Sequence, residues 1–155
     1  MTAMKSVIQT QLSAYALPVY HGTDLYFESF ESSAVGTYGA GIYFADTEES
    51  AGSYGGSIIT AFVRLNNPWV IDVDFESEGA YLEDFDHPAI EAILSLSQGR
   101  HLLDSAKARG HTLFDRALQG ELISLGHDGV VATYPDGSKE LVAFSCDQIE
   151  IICWK

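Results

Sequence analysis

The chain is short of positive charge. Eight Lys and Arg stand against 22 Asp and Glu, a formal net charge of −14 over 155 residues. Between Lys5 and Arg64 there is no Lys or Arg at all. Such a surface repels a phosphate backbone, so nucleic acid is a disfavoured partner and a basic protein a favoured one. Long apolar runs are also missing. None approaches the ~20 residues that a membrane helix needs, so no membrane association is expected. The opening MTAMKSVIQTQLSAYAL has one lysine and no long apolar stretch, so it does not read as a signal peptide, and a cytoplasmic location is expected. Cysteine is scarce. Cys146 and Cys153 lack metal-ligand spacing and are expected as reduced, buried thiols on neighbouring C-terminal strand segments. The five histidines form no HxxxH or CxxH pair, so no metal site is expected. Repeats, low-complexity tracts and linkers are absent, which leaves one domain over residues 1–155.

What is present is the composition of a globular protein, 46% hydrophobic and 19% charged. Residues 3–14 can form a first helix. ALPVYHGT (16–23) reads as a strand entered through Pro18. DLYFESFESSAVGTYG reads as a short helix followed by a loop. GIYFAD is a short strand. Asp46 or Thr47 can then cap a helix over 48–54, with Glu48 and Glu49 in the first turn, where the helix dipole favours acids. SIITAFVRL (57–65) and WVIDVD read as strands broken by NNP. HPAIEAILSLSQ reads as a helix capped by Asp86 with Pro88 in its first turn, 100–108 as a short helix, and TLFDRALQGELISLG as a helix stopped by Gly126. GVVATY, ELVAFS and QIEIICW are three strands, the first two a hairpin through Pro135-Asp136-Gly137. Strands at both ends with helices between them predict an α+β domain on antiparallel sheet.

Four features stand apart from core-building. His21-Gly22-Thr23 ends a strand, so its side chains can face a cleft. Tyr43 lies in a strand that opens from a glycine turn. Tyr54 follows near the end of the next helix, in a stretch otherwise rich in small residues. Glu140 begins an apolar strand just after a turn. Each has a plain structural reading: a turn histidine, core tyrosines, a solvated glutamate.

Together these residues resemble the ADP-ribosyltransferase superfamily, in the His-Tyr-Glu branch that includes diphtheria toxin and the poly(ADP-ribose) polymerases. VYHGT resembles the first motif of that branch, GAGIYFADTEESAGSYG the second, with its tyrosine pair, and KELVAFSCDQIEI the third. Residues 66–126 carry no resemblance. The resemblance implies a split antiparallel β-sheet core with flanking helices, NAD as substrate and no metal. It implies that Tyr43 and Tyr54 sandwich the nicotinamide, that the Gly22 backbone holds its amide, and that His21 and Thr23 bind the adenosine ribose and its surroundings. Gly39, Gly41, Ala51 and Gly52 would make room for the ring. Glu140, with His21 and Tyr54, would be catalytic. The candidate hydroxyl partners of the pyrophosphate are Ser32, Ser33, Thr37 and Tyr38. Two departures matter. Ser138 stands where some arginine-modifying relatives have an acid or amide, and Ala51 stands where the polymerases have serine.

The expected activity is mono-ADP-ribosyl transfer of toxin or effector type to a macromolecular acceptor, expected to be a protein. An immunity protein or host target would be a further partner. The alternatives are an NAD glycohydrolase, a non-catalytic NAD or ADP-ribose binding module, and an interaction domain whose tyrosines are core. The lack of local cations predicts weak NAD binding that changes little with salt.

Overall fold

A computed structural model describes residues 18–24, 27, 30–72, 89–109 and 114–154. The expected helix over 3–14, the Asp86 cap and Pro88 lie outside the described residues. So does most of the expected short helix after Asp24, and its described residues carry no helix.

Among the described residues seven strands form one sheet: β1 (Val19–Thr23), β2 (Ile42–Ala45), β3 (Ser57–Val63), β4 (Trp69–Asp72), β5 (Gly129–Thr133), β6 (Lys139–Ala143) and β7 (Ile149–Trp154). Their spatial order is β4-β5-β6-β2-β1-β3-β7. Every neighbouring pair is antiparallel except β4–β5, which is parallel, so the sheet is mixed rather than purely antiparallel. Three of the four helices described below lie between β4 and β5 in the chain, and a parallel pair needs such a crossover.

The sheet is split. β2 pairs with β6 at four positions and β1 with β3 at five, but β1 meets β2 only at Tyr20↔Ala45. The two halves diverge from that single pairing.

Strand alternation separates two cores. Val130, Ala132 and Val142 face one side, packed with Tyr38, Ile93, Leu103, Phe114, Leu118 and Leu122. Val131, Leu141 and Ala143 face the other, packed with Ile42, Phe44, Ile59 and Val63. β5 and β6 are thus buried on both faces, which is why GVVAT and LVA read as continuous apolar runs.

Among the described residues there are four α-helices: α1 (Glu48–Gly52), α2 (Ala89–Leu94), α3 (Gly99–Ala108) and α4 (Arg116–Ser124). Thr47, rather than Asp46, caps α1, its Oγ1 accepting from the Ser50 N–H at 3.2 Å. The helix read from HPAIEAILSLSQ stops early, at Leu94. α3 then begins at Gly99, where a Cβ would sit 1.9 Å from the Ile93 carbonyl oxygen. Asp115 caps α4 by accepting from the Ala117 N–H at 3.0 Å, and also pairs with Arg109 at 2.9 Å.

The β5–β6 hairpin turns as expected. Gly137 adopts φ +86°, and the Asp136 carboxylate accepts from the Ser138 N–H at 2.9 Å and from its hydroxyl at 2.6 Å. The cysteines depart from expectation. Both are exposed. Cys146 lies in a 3₁₀ turn rather than a strand, and Cys153 lies on β7, an edge strand covered on one side only. No helix among the described residues is long and apolar enough to cross a membrane.

Candidate active site

The divergence of β1 from β2 opens a cleft of about 1030 Å³. It also leaves the Tyr43 carbonyl without a strand partner on β1, and a buried carbonyl needs one. His21 supplies it, with Nδ1 2.7 Å from the Tyr43 oxygen. A carbonyl only accepts, so Nδ1 carries the proton. In the neutral ring Nε2 is then an acceptor, suited to a hydroxyl donor. The ring is held edge-on against Phe30 at 5.0 Å and against Phe27 at 6.0 Å, and packs beside Phe44 at 5.7 Å.

Tyr43 is tied at its far end. Its hydroxyl donates to the Gly39 carbonyl at 2.6 Å and accepts from the Tyr38 N–H at 2.9 Å. Gly36 lets the chain pass over this ring, since a Cβ there would come within 2.3 Å of the Tyr43 hydroxyl. Gly39, at φ +92°, makes the bend that presents its carbonyl. Tyr54 is the opposite case. It follows α1, where its backbone N–H donates to the Ala51 carbonyl at 3.0 Å, and 71% of its surface is exposed.

Gly22 is required by packing. A Cβ there would sit 1.8 Å from the Ala51 carbonyl oxygen, so α1 could not lie against β1. Ala51 is buried in that contact. At Gly41 a Cβ would strike Val142 at 2.3 Å.

Glu140 sits on β6 between two alanines, Ala45 opposite it on β2 and Ala132 opposite it on β5. Small neighbours on both sides leave space around the carboxylate. Burial raises its pKa, and a 2.8 Å hydrogen bond from the Tyr134 hydroxyl to Oε2 partly offsets this. Burial, together with the Glu140 charge, also raises the pKa of Tyr38, Tyr43, Tyr54 and Tyr134, so all four stay protonated.

Of the residues expected at the site, His21, Gly22, Gly41, Tyr43, Ala51, Tyr54 and Glu140 all line this one cleft. Ser33 and Thr37 line it too. Thr23, Ser32 and Tyr38 do not, and Tyr38 is fully buried with its hydroxyl against that of Tyr134, so it is not a surface for the pyrophosphate. Lys139 is the sole Lys or Arg among the described lining residues, and Glu31 adds an acid. Ser138 also lines the cleft, with its hydroxyl turned to Asp136.

Sequence reasoning missed Tyr134. The hairpin register carries the signal. Ala132 faces Glu140, so Tyr134, two residues further on, lies diagonally across the same face and within reach of the carboxylate. Among the described residues no three metal-ligating side chains cluster.

No curated protein matches the sequence. A solved structure described as a crystal structure of an anti-CRISPR protein is similar at 18% identity and a TM-score of 0.44, over 87% of this chain and 94% of that one. A family model for ADP-ribosyltransferases in polyvalent proteins matches residues 15–153, a span that takes in every site residue named above. The chain belongs to this family of ADP-ribosyltransferases, enzymes that use NAD as substrate.

Proposed function

We propose that the chain is a mono-ADP-ribosyltransferase of the His-Tyr-Glu branch, of toxin or effector type, acting on a protein. One observation carries the reading: His21, Tyr43, Tyr54 and Glu140, spread over 120 positions of sequence, line a single cleft. The cleft is large enough for a dinucleotide, and its lining includes aromatic rings and a carboxylate flanked by small residues.

In this reading the cationic nicotinamide lies between Tyr43 and Tyr54, each ring contributing about 0.5–2 kcal/mol through its π face. The Gly22 backbone holds the carboxamide. His21 Nε2 accepts from a hydroxyl of the adenosine ribose, with the ring fixed by its Nδ1 bond to Tyr43. As the bond from nicotinamide to ribose lengthens, positive charge develops on the ribose. The Glu140 carboxylate stabilises that charge and accepts from the 2′-hydroxyl. The acceptor's nucleophile then takes the ribose. The acidic surface favours a basic protein over RNA or DNA as acceptor.

The test is incubation with labelled NAD, with and without a cell lysate. Nicotinamide release together with ADP-ribose adducts on proteins, found by mass spectrometry, supports the transferase. Release with free ADP-ribose and no adducts would make the chain a glycohydrolase. Binding without release would make it a binding module.

A further inference from the structure

The neighbours of Glu140 form a chain rather than a ring. Tyr134 Oη donates to Glu140 Oε2 at 2.8 Å, and a phenol has one proton to give. Tyr134 Oη also lies in hydrogen-bond contact with Tyr38 Oη. With the Tyr134 proton aimed at a carboxylate, Tyr38 is the donor in that second contact. The order is therefore Tyr38 to Tyr134 to Glu140. Tyr38 is fully buried, and its own backbone N–H donates to the Tyr43 hydroxyl at 2.9 Å. One residue thus touches both the strand tyrosine of the cleft and, through Tyr134, the carboxylate. Among the described residues no donor bonds Oε1 of Glu140.

We propose that Tyr38 and Tyr134 are a positioning relay that fixes the Glu140 carboxylate, holding Oε2 to the protein and leaving Oε1 for the ribose hydroxyl of the substrate. This rests on the reading of Glu140 as the catalytic carboxylate. A phenol that already accepts a hydrogen bond donates a stronger one, so Tyr38 strengthens the bond that Tyr134 makes. The bond to the carboxylate is charge-assisted and directional, and it stops the side chain from sampling other rotamers across the space left by Ala45 and Ala132. The other titratable groups that sense the Glu140 charge are Tyr43 from β2 and Tyr54 after α1, while His21 and Lys139 line the same cleft. None of these donates a hydrogen bond to the carboxylate.

The relay is tested in the full chain with Tyr134→Phe, Tyr38→Phe and the double variant, which keep every ring and remove only hydroxyls. Nicotinamide release is measured for kcat and KM across pH. The Glu140 carboxyl is titrated by ¹³C NMR in the absence of NAD. Tyr134→Phe is expected to lower kcat about tenfold with KM changed less than about twofold. Its acid limb should move to higher pH, because the lost bond favoured the ionised carboxylate. Tyr38→Phe should shift both in the same direction by less, and the double variant should match Tyr134→Phe alone. Wild-type kcat and pH profile in Tyr134→Phe would overturn the relay, as would losses that multiply in the double variant. Should Tyr134→Phe not fold, an unmoved Glu140 titration in Tyr38→Phe would overturn it, and an upward shift would support it. Glu140→Gln keeps the two ideas apart. If that variant turns over normally, the catalytic reading fails. If it is inactive while Tyr134→Phe is normal, only the relay fails.

Discussion

The two walls of the cleft are built differently. On the β2–β6–β5 side every functional group is restrained. Tyr43 is bonded twice at its hydroxyl, Glu140 is held by Tyr134, and the strands beneath are buried on both faces. On the β1–α1 side the backbone is packed tightly, Gly22 against Ala51, yet the aromatic it carries stands in solvent. One wall holds its side chains by hydrogen bonds and burial, and the other leaves Tyr54 exposed. On the proposed reading, the restrained wall stands where charge develops in the reaction and the exposed tyrosine where the nicotinamide ring enters and leaves.

Gly22→Ala should break the contrast most completely. The new Cβ would meet the Ala51 backbone carbonyl, which cannot move without displacing α1. Loss of NAD binding and a marked fall in Tm are expected. Calorimetry and NAD titration check this, and a variant with native Tm and affinity would show that α1 is not seated as described.

Truncating the tyrosines sharpens the contrast. Tyr43→Ala and Tyr54→Ala should each weaken NAD binding about two- to thirtyfold, the value of one lost ring face. Only Tyr43→Ala should also destabilise the fold, by about 2–4 kcal/mol, against about 0.5 kcal/mol or less for the exposed Tyr54. Urea melts separate the two, and equal destabilisation would erase the difference between the walls.

The carboxylate makes a smaller, signed prediction. Burial raises the pKa of Glu140 above its unfolded value of 4.5. As pH rises from that value through the raised one, the unfolded chain gives up the proton first, so stability contributed by the protonated form is lost across this window. Above the window Glu140→Gln should melt higher than the wild type, and below it the two should coincide. The acid limb of kcat should lie above the usual carboxylate range. A variant less stable at neutral pH would mean that burial is not what governs this group.

The smallest effect concerns salt. With Lys139 as the sole Lys or Arg among the described lining residues, NAD affinity should fall by less than about threefold between 50 and 500 mM NaCl. A steep decline would place further cations at the pyrophosphate.

Much of the site could be read from local chemistry. The tyrosine spacing, the glycines around it, the Thr47-Glu48-Glu49 helix start and the Pro-Asp-Gly turn each report their own conformation within a few residues. What escaped depends on pairing across the chain. The parallel β4–β5 contact joins segments about sixty residues apart, and nothing in either segment encodes its partner's direction. Tyr134 was hidden for a related reason: it read as the end of an apolar strand, and only the register of the hairpin turns it toward Glu140. The cysteines misled because they lie in or beside apolar strand segments, while Cys146 falls in an exposed 3₁₀ turn and the edge position of β7 exposes Cys153.

The convergence of these residues on one dinucleotide is tested most directly by paired measurements on Glu140→Gln: NAD affinity by titration, and nicotinamide release in a single turnover. The expected result is affinity within about threefold of the wild type with release slowed by about 10²–10³. Release at the wild-type rate would contradict it.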